Sequence, residues 1–195
     1  KNEESIWQAL REGYAYLKRT PKISSLIILI AVYSLIVIPY STLLPVFAKD
    51  VFQGNATVFG WFESITGLGA LAGSVYIAGL QSSKKMIGIV ILASLIFSLG
   101  MLCLALSGKL FIAIFFAGVI GLGMMSFTAA VNTFIQTHVE ENMRGRIISY
   151  FIMAYQGVLP IGSLLAGALA GALGARITVA LQAVAGVCAT LIFLY

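Results

Sequence analysis

Six long apolar segments dominate this sequence and limit what it can fold into. An α-helix rises about 1.5 Å per residue, so roughly 20 apolar residues cross the 30 Å hydrocarbon core of a bilayer. The segments that meet this length cover residues 23–47, 57–80, 86–106, 110–137, 147–173 and 177–195. The pattern predicts an all-α membrane protein in which residues 23–195 form a six-transmembrane-helix bundle.

The composition agrees with a chain surrounded by lipid. Of the 195 residues, 60% are hydrophobic and 10% are charged, whereas about a quarter of the residues in a soluble domain are charged. The 20 glycines fall largely inside the apolar segments, where small residues let helices approach closely. Two pairs at a spacing of four, Gly69 with Gly73 and Gly167 with Gly171, are therefore predicted to lie at helix contacts.

An amphipathic helix is predicted before the first apolar segment, within residues 1–22. Ile6, Leu10, Tyr14 and Leu17 recur at helical spacing, and charged side chains occupy the rest of the helix surface. Such a helix lies in the plane of the membrane surface. Pro21 is expected to end it.

The basic residues predict the orientation in the membrane. Cytoplasmic flanks carry an excess of Lys and Arg. One set of flanks contains nine basic residues: Lys1, Arg11, Lys18, Arg19, Lys22, Lys84, Lys85, Arg144 and Arg146. The other set contains three: Lys49, Lys109 and Arg176. Both ends are therefore expected on the cytoplasmic side of the plasma (inner) membrane. Because the basic residues flank apolar segments and line no single polar face, the net charge of +5 does not indicate nucleic-acid binding.

Glu63 is the only acidic residue well inside an apolar segment. A charge within the membrane is costly, so an intramembrane acid is a candidate for proton or substrate binding. Glu63 is also only about 9 Å from the outer end of its helix, by the helical rise. The alternative is therefore a hydrated acid that stabilises the helix N-terminus.

Neutral polar and aromatic residues are further candidates for a substrate cavity: Tyr33, Asn132, Gln136, Tyr155 and Gln156. Asn132 and Gln136 are four residues apart, which places them on one face of a helix. Hydrogen bonds between helices are the alternative role for such groups. The nearly complete lack of polar residues in segment 86–106 favours a cavity formed by the other helices.

The sequence lacks the usual motifs of an enzyme or a metalloprotein. There is no Gly-x-Ser-x-Gly, no phosphate-binding glycine loop and no His-Glu-x-x-His. One histidine and two cysteines inside apolar segments form no metal-ligand cluster. We therefore expect no catalytic residues, no metal and no cofactor.

Three stretches resemble the C-terminal half of major facilitator superfamily exporters, and the enterobactin and macrolide exporters in particular. They are Arg144-Gly145-Arg146-Ile147-Ile148-Ser149, the run from Pro160 to Leu169, and Leu173-Gly174-Ala175. The segment from Leu10 to Pro21 is similar to the linker helix of that superfamily, and the segment from Leu43 to Ala48 to the end of its seventh span.

The resemblance implies half of a twelve-helix transporter, built from two inverted three-helix repeats. It also implies that Arg144, Gly145 and Arg146 form a cytoplasmic loop motif and that the first, second, fourth and fifth spans face the cavity. One feature departs from the superfamily. The loop after the second span, within residues 79–88, contains no acid where the superfamily has an Asp-Arg pair, so its charged gate is not expected here.

Two functions remain open from the sequence. The first is the C-terminal half of a proton-coupled exporter of small amphipathic molecules, which works by alternating access against an N-terminal six-helix half. The second is a stand-alone six-helix module with a structural or partner-binding role. The first residue is Lys rather than Met, and the last segment is still apolar at Tyr195, so we expect the chain to be part of a longer protein.

Overall fold

Seven helices account for nearly all of residues 6–80 and 86–194, which are the residues that the computed structural model describes. They are α1 (Ile6–Arg19), α2 (Pro21–Val51), α3 (Ala56–Ala78), α4 (Met86–Leu106), α5 (Leu110–His138), α6 (Glu141–Leu173) and α7 (Ala175–Leu194). No β-strand occurs in these two ranges. The all-α class predicted from the sequence is therefore confirmed for the described residues.

Five of these helices are long and apolar enough to cross a membrane: α2, α4, α5, α6 and α7. Helix α3 has 23 residues, but Glu63 and several Gly, Ser and Thr residues lower its hydropathy. The sixth crossing therefore stays a prediction. The predicted basic turn at 81–85 lies outside the described residues, as does the start of the chain at 1–5.

Helix α2 changes its winding around Pro39. It is α-helical from Pro21 to Val32, π-helical over Tyr33–Val37 and 3₁₀-helical over Ile38–Leu43. Pro39 has no N–H to donate to the carbonyl of Leu35 one turn earlier, so the regular i to i−4 ladder cannot continue through it. Around Pro39 the α-helix is therefore replaced by a π-helical and then a 3₁₀-helical segment.

Helix α6 also has a π-helical turn before a proline, Pro160. A π-helical turn, Met153–Gly157, precedes the proline, and the α-helix resumes at Leu159. The Ser34 hydroxyl of α2 donates a hydrogen bond to the carbonyl of Tyr155 in this turn. The two kinked helices are therefore joined at their irregular segments.

The core lies where α2, α4, α5 and α7 meet. Its largest fully buried side chains include Tyr33, Tyr40, Phe97 and Phe127. Tyr33 packs on both phenylalanines, with ring centroids 5.9 Å from Phe97 and 4.6 Å from Phe127. Helices α3 and α6 lie at the edges: α3 packs on α5 and the end of α2, and α6 on α2 and α7.

Helix α1 packs against the first turns of α6 and is separated from α2 by Thr20 alone. Leu17 and Gly13 are buried in this contact. The hydroxyl of Tyr150 donates to the carbonyl of Leu10 at 2.9 Å. Tyr14, which the sequence pattern grouped with Leu10 and Leu17, instead faces outward, because the helix turns its narrow Gly13 side toward α6.

The break between the fourth and fifth segments is shorter than expected. Helix α5 ends at His138 and α6 begins at Glu141, so only Val139 and Glu140 are non-helical. The Arg144-Gly145-Arg146 motif, expected in a loop, lies in the first turns of α6. Polar residues can continue a helix beyond the apolar part, and hydropathy alone does not locate that end.

Candidate functional site

Glu63 lies on the exposed side of α3, seven residues after the first residue of the helix. Asn55 caps the N-terminus of the helix, since its side chain accepts a hydrogen bond from the N–H of Thr57 at 3.0 Å. Around Glu63, Gly60 and Gly67 face open space. The carboxylate is thus accessible to water or to a molecule that covers this face.

Asn132 and Gln136 form a polar pair on α5. The Gln136 amide nitrogen donates to the Asn132 side-chain oxygen at 3.1 Å. Gln136 is exposed and Asn132 is half-buried. The same face continues along α5 with Met125 and Leu122, which are both exposed. This surface is therefore polar toward the C-terminal end of α5 and apolar in the middle, which suits an amphipathic molecule.

Tyr155 and Gln156 lie in the π-helical turn of α6. Tyr155 is half-buried and stacks on Phe151 with ring centroids 6.0 Å apart. Gln156 is exposed. A π-turn contains an extra residue per turn and is frequent at functional sites. It rotates Gln156 relative to a regular helix and leaves its amide free to contact a ligand.

Tyr33 has a different environment from the other candidates. Its side chain is fully buried, and its hydroxyl is within 2.7 to 3.2 Å of four oxygens: Ser94 O, Ser98 Oγ, Gly186 O and Thr190 Oγ1. The structure thus places Tyr33 in a polar cluster that joins α2, α4 and α7, not on a cavity surface. A phenol buried among helices is stabilised only where such partners surround it.

The two predicted glycine pairs lie in contrasting environments. A Cβ added to Gly69 would be 2.0 Å from the carbonyl oxygen of Gly118, and one on Gly73 would be 2.7 Å from that of Leu122. Those two glycines allow α3 and α5 to touch along their backbones. Gly167 and Gly171 of α6 face open space among the described residues.

The Arg-Gly-Arg motif connects α6 to the linker helix. Arg146 forms a salt bridge with Glu12 of α1, while Gly145 is exposed and faces open space. The Arg144 Nε atom is buried without a hydrogen-bond partner among the described residues. Through Arg146, the motif therefore contacts α1.

Several polar contacts were not predicted from the sequence. Ser94 and Ser98, and likewise Gly186 and Thr190, are four residues apart in apolar helices, and each pair faces Tyr33. This spacing is the signal that could have identified the cluster. Gly162, whose added Cβ would lie 2.4 Å from the carbonyl of Leu35, gives no comparable signal among many glycines.

The exposed candidates therefore belong to three helices. Glu63 lies on α3, Gln136 on α5 and Gln156 on α6, and no hydrogen bond joins them among the described residues. These groups can bind and orient a polar part of a ligand, and Glu63 can also carry a proton. They do not form a nucleophile–base pair of the kind that covalent catalysis requires.

Comparisons with known proteins agree with a transport role. A family model described as "Transmembrane secretion effector", from the major facilitator superfamily, matches residues 1–195. The staphyloferrin A transporter of Staphylococcus aureus (strain NCTC 8325 / PS 47) is 28% identical over 177 residues, which are 89% of this chain and 42% of that protein. Macrolide efflux protein A of Streptococcus pyogenes is 23% identical over 170 residues, 85% of this chain and 41% of that protein.

The chain thus spans about two fifths of the length of these curated relatives. The resemblance noted in the sequence is confirmed, and five apolar helices together with the family indicate a multi-pass membrane protein. The chain belongs to the transmembrane secretion effector family of major facilitator transporters.

Proposed function

We propose that this chain is the C-terminal half of a secondary-active exporter that moves small amphipathic molecules, of the drug or siderophore type, across the plasma membrane. The observation that carries the proposal is the exposure of α6: only 11% of its most apolar stretch is buried within the chain, against 61% for α2. An N-terminal six-helix half would cover this face. The relatives, of which the chain spans about two fifths, leave room for such a half.

Helix α3 is proposed as the sixth crossing. Its 23 residues extend about 35 Å by the helical rise, which exceeds the hydrocarbon thickness. It also packs along α5, an apolar helix, through Gly69 and Gly73. A helix packed this closely along a membrane-spanning helix crosses the same part of the bilayer.

Both ends are proposed to be cytoplasmic. In the structure α1 contacts the start of α2 and the first turns of α6, which also contact α5, and these segments contain Arg11, Lys18, Arg19, Lys22 and Arg146. Lys49, Lys109 and Arg176 belong to the opposite flank. The excess of positive charge supports a cytoplasmic location for the α1 side.

Substrate is proposed to bind between the halves, against the exposed faces of α3, α5 and α6. Glu63, Asn132, Gln136, Tyr155 and Gln156 supply the polar contacts on this side of the cavity. The transporter would alternate access by rocking one half against the other, a mechanism typical of this architecture.

Glu63 is proposed to couple efflux to proton movement. The carboxylate is exposed on a face that the second half would cover, so it can exchange protons with a hydrated cavity and bind a cationic group when ionised. The neutral amide of Gln cannot exchange that proton.

The test is efflux by the full-length protein in membrane vesicles, over a panel of macrolides and siderophores, with and without a protonophore. We expect protonophore-sensitive efflux that Glu63→Gln reduces by at least tenfold. Asp50→Asn, which removes an exposed carboxylate at the end of α2, is the matched control and should retain efflux. Unchanged efflux in E63Q would assign Glu63 a structural role, and export of no panel compound would contradict the exporter proposal itself.

A further inference from the structure

The outward face of α1 contains four exposed residues in a regular arrangement: Trp7, Arg11, Tyr14 and Lys18. Their spacings of four, three and four place them within about 60° of the helix circumference, at 100° per residue. Trp7 is 80% exposed and Tyr14 is 54% exposed. We refer to these four residues as the aromatic–basic stripe.

The rest of α1 fixes which way this stripe points. Gly13 and Leu17 are buried against the bundle, and a Cβ on Gly13 would already be 2.7 Å from the Tyr150 ring. Glu12 forms its salt bridge with Arg146 on this docked side. The helix cannot roll to bury Trp7 against the bundle without losing these contacts, so the indole is available to a partner outside the described residues.

In the orientation proposed above, the stripe lies at the level of the membrane surface. Helix α1 ends at Arg19, and α2 enters the apolar region after Pro21. The Tyr16 hydroxyl also accepts a hydrogen bond, at 3.4 Å, from the N–H of Glu140, in the connection between α5 and α6. Trp and Tyr are enriched at this depth because their rings are apolar and their N–H and O–H groups remain hydrated.

The charge of this side of α1 is entirely basic among the described residues. Arg11 and Lys18 belong to the stripe, and Lys22 follows it at the start of α2 and is exposed. Lys18 Nζ lies 4.8 Å from the centroid of the Tyr14 ring, so the ammonium group is held next to an interfacial aromatic. The one acid of α1, Glu12, is on the docked side and is engaged by Arg146.

We propose that the aromatic–basic stripe of α1 binds the headgroups of anionic phospholipids at the membrane surface where α2 begins. The indole and phenol rings would insert beside the glycerol region, and Arg11 and Lys18 would bind the phosphates above it. This inference requires the membrane location of α1 but not transport, so it can fail or succeed independently of the proposed function. An acidic protein partner is the competing occupant that the test must separate.

The experiment places the photoreactive residue benzoylphenylalanine at position 7 of the full-length protein. The protein is reconstituted in vesicles of two parts phosphatidylcholine to one part phosphatidylglycerol and irradiated, and the adducts are identified by mass spectrometry. We expect phospholipid adducts in which the ratio of phosphatidylglycerol to phosphatidylcholine is about fivefold higher than in the vesicles, the contribution of one basic residue near an anionic surface.

Charge variants test the role of the basic residues. R11Q/K18Q should return the adducts to the ratio of the lipids present, with R11Q and K18Q alone intermediate. K49Q/K109Q, which removes two exposed positive charges from the opposite flank, should keep the enrichment. Adducts to protein, adducts in proportion to the lipids, or an enrichment that survives R11Q/K18Q would each overturn the proposal. If the double variant does not elute as a monodisperse protein, the enrichment measured in R11Q and in K18Q is the test instead.

Discussion

Helices α2 and α6 are both long, apolar and irregular before a proline, yet they are buried to very different extents among the described residues. They contain 31 and 33 residues, and each has a π-helical turn before a proline. Nevertheless 61% of the most apolar stretch of α2 is buried, against 11% for α6. Length, apolarity and a proline kink therefore determine that a helix can cross the membrane, but not how many neighbours it has.

The difference comes from what each helix meets. Tyr33 of α2 is surrounded by hydroxyls and carbonyls of α4 and α7, so this helix is enclosed. Helix α6 contacts α2 closely at Gly162, while Leu164 and Gly167 on its other side face open space or are exposed. In the proposed transporter this second side belongs to the interface between halves.

The largest effect is expected at the contact that joins the two helices. Gly162→Leu would push α6 away from α2, because even a Cβ there lies 2.4 Å from the carbonyl oxygen of Leu35. We expect a loss of about 3 kcal/mol in the free energy of unfolding, measured in detergent on the full-length protein. Gly88→Leu is the control, since Gly88 of α4 faces open space. An equal loss in both variants would mean that the α2–α6 contact is not responsible.

A second effect is expected from the polar cluster that encloses α2. Tyr33→Phe removes a hydroxyl with four neighbouring oxygens and leaves Ser98 and Thr190 with fewer partners. The expected loss is about 2 kcal/mol, because buried groups left unsatisfied carry a desolvation cost. Tyr76→Phe, at an exposed tyrosine of α3, should change the same unfolding measurement by less than about 0.5 kcal/mol. Equal losses in the two variants would mean that the buried hydroxyl of Tyr33 contributes no more to stability than the exposed hydroxyl of Tyr76.

A third effect tests the open side of α6. Gly167→Leu finds free space in this chain, so its cost depends on the proposed N-terminal half. In the full-length protein we expect a loss of about 1 kcal/mol from overpacking at that interface, together with slower efflux. The same Gly88→Leu control applies. If Gly167→Leu and Gly88→Leu have the same effect, Gly167 faces lipid in the full-length protein and does not contact the N-terminal half.

The smallest effect is expected at the first turns of α6. Glu12 and Arg146 form a salt bridge in which both side chains are partly exposed, at 43% and 22% respectively. A double-mutant cycle with E12Q and R146Q should give a coupling energy of about 0.5 kcal/mol, reduced further by added salt. A coupling energy near zero at low salt would show that this salt bridge does not help to hold α1 against α6.

The amino-acid pattern was sufficient for the helical class and for the family. The Arg-Gly-Arg motif and the run from Pro160 carried the resemblance that the family model confirms. The amphipathic nature of α1 followed from its spacing, but its orientation did not. Tyr14 and Leu17 are equivalent in a hydrophobicity pattern, and only the packing of Gly13 on Tyr150 determines which of them is buried.

The sequence also identified polar candidate residues without determining which of them are exposed and which are buried. Glu63, Gln136 and Gln156 were singled out because polar groups are costly in lipid, and the structure places all three on exposed faces. Tyr33 was selected by the same argument and is buried, since a polar side chain in an apolar helix can be satisfied equally well by water in a cavity or by neighbouring helices. Which partner it finds depends on residues such as Ser98 and Thr190, which are 65 and 157 positions away in sequence.

By itself, then, the sequence determined that the chain is helical, apolar and a member of an exporter family, because those properties are local or carried by short motifs. Only the tertiary structure decided that α2 is enclosed and α6 is open, that Gly69 and Gly73 touch α5, and that Tyr33 holds three helices together. These features depend on contacts between residues far apart in the chain, where the distance of one backbone from another decides what a side chain can reach.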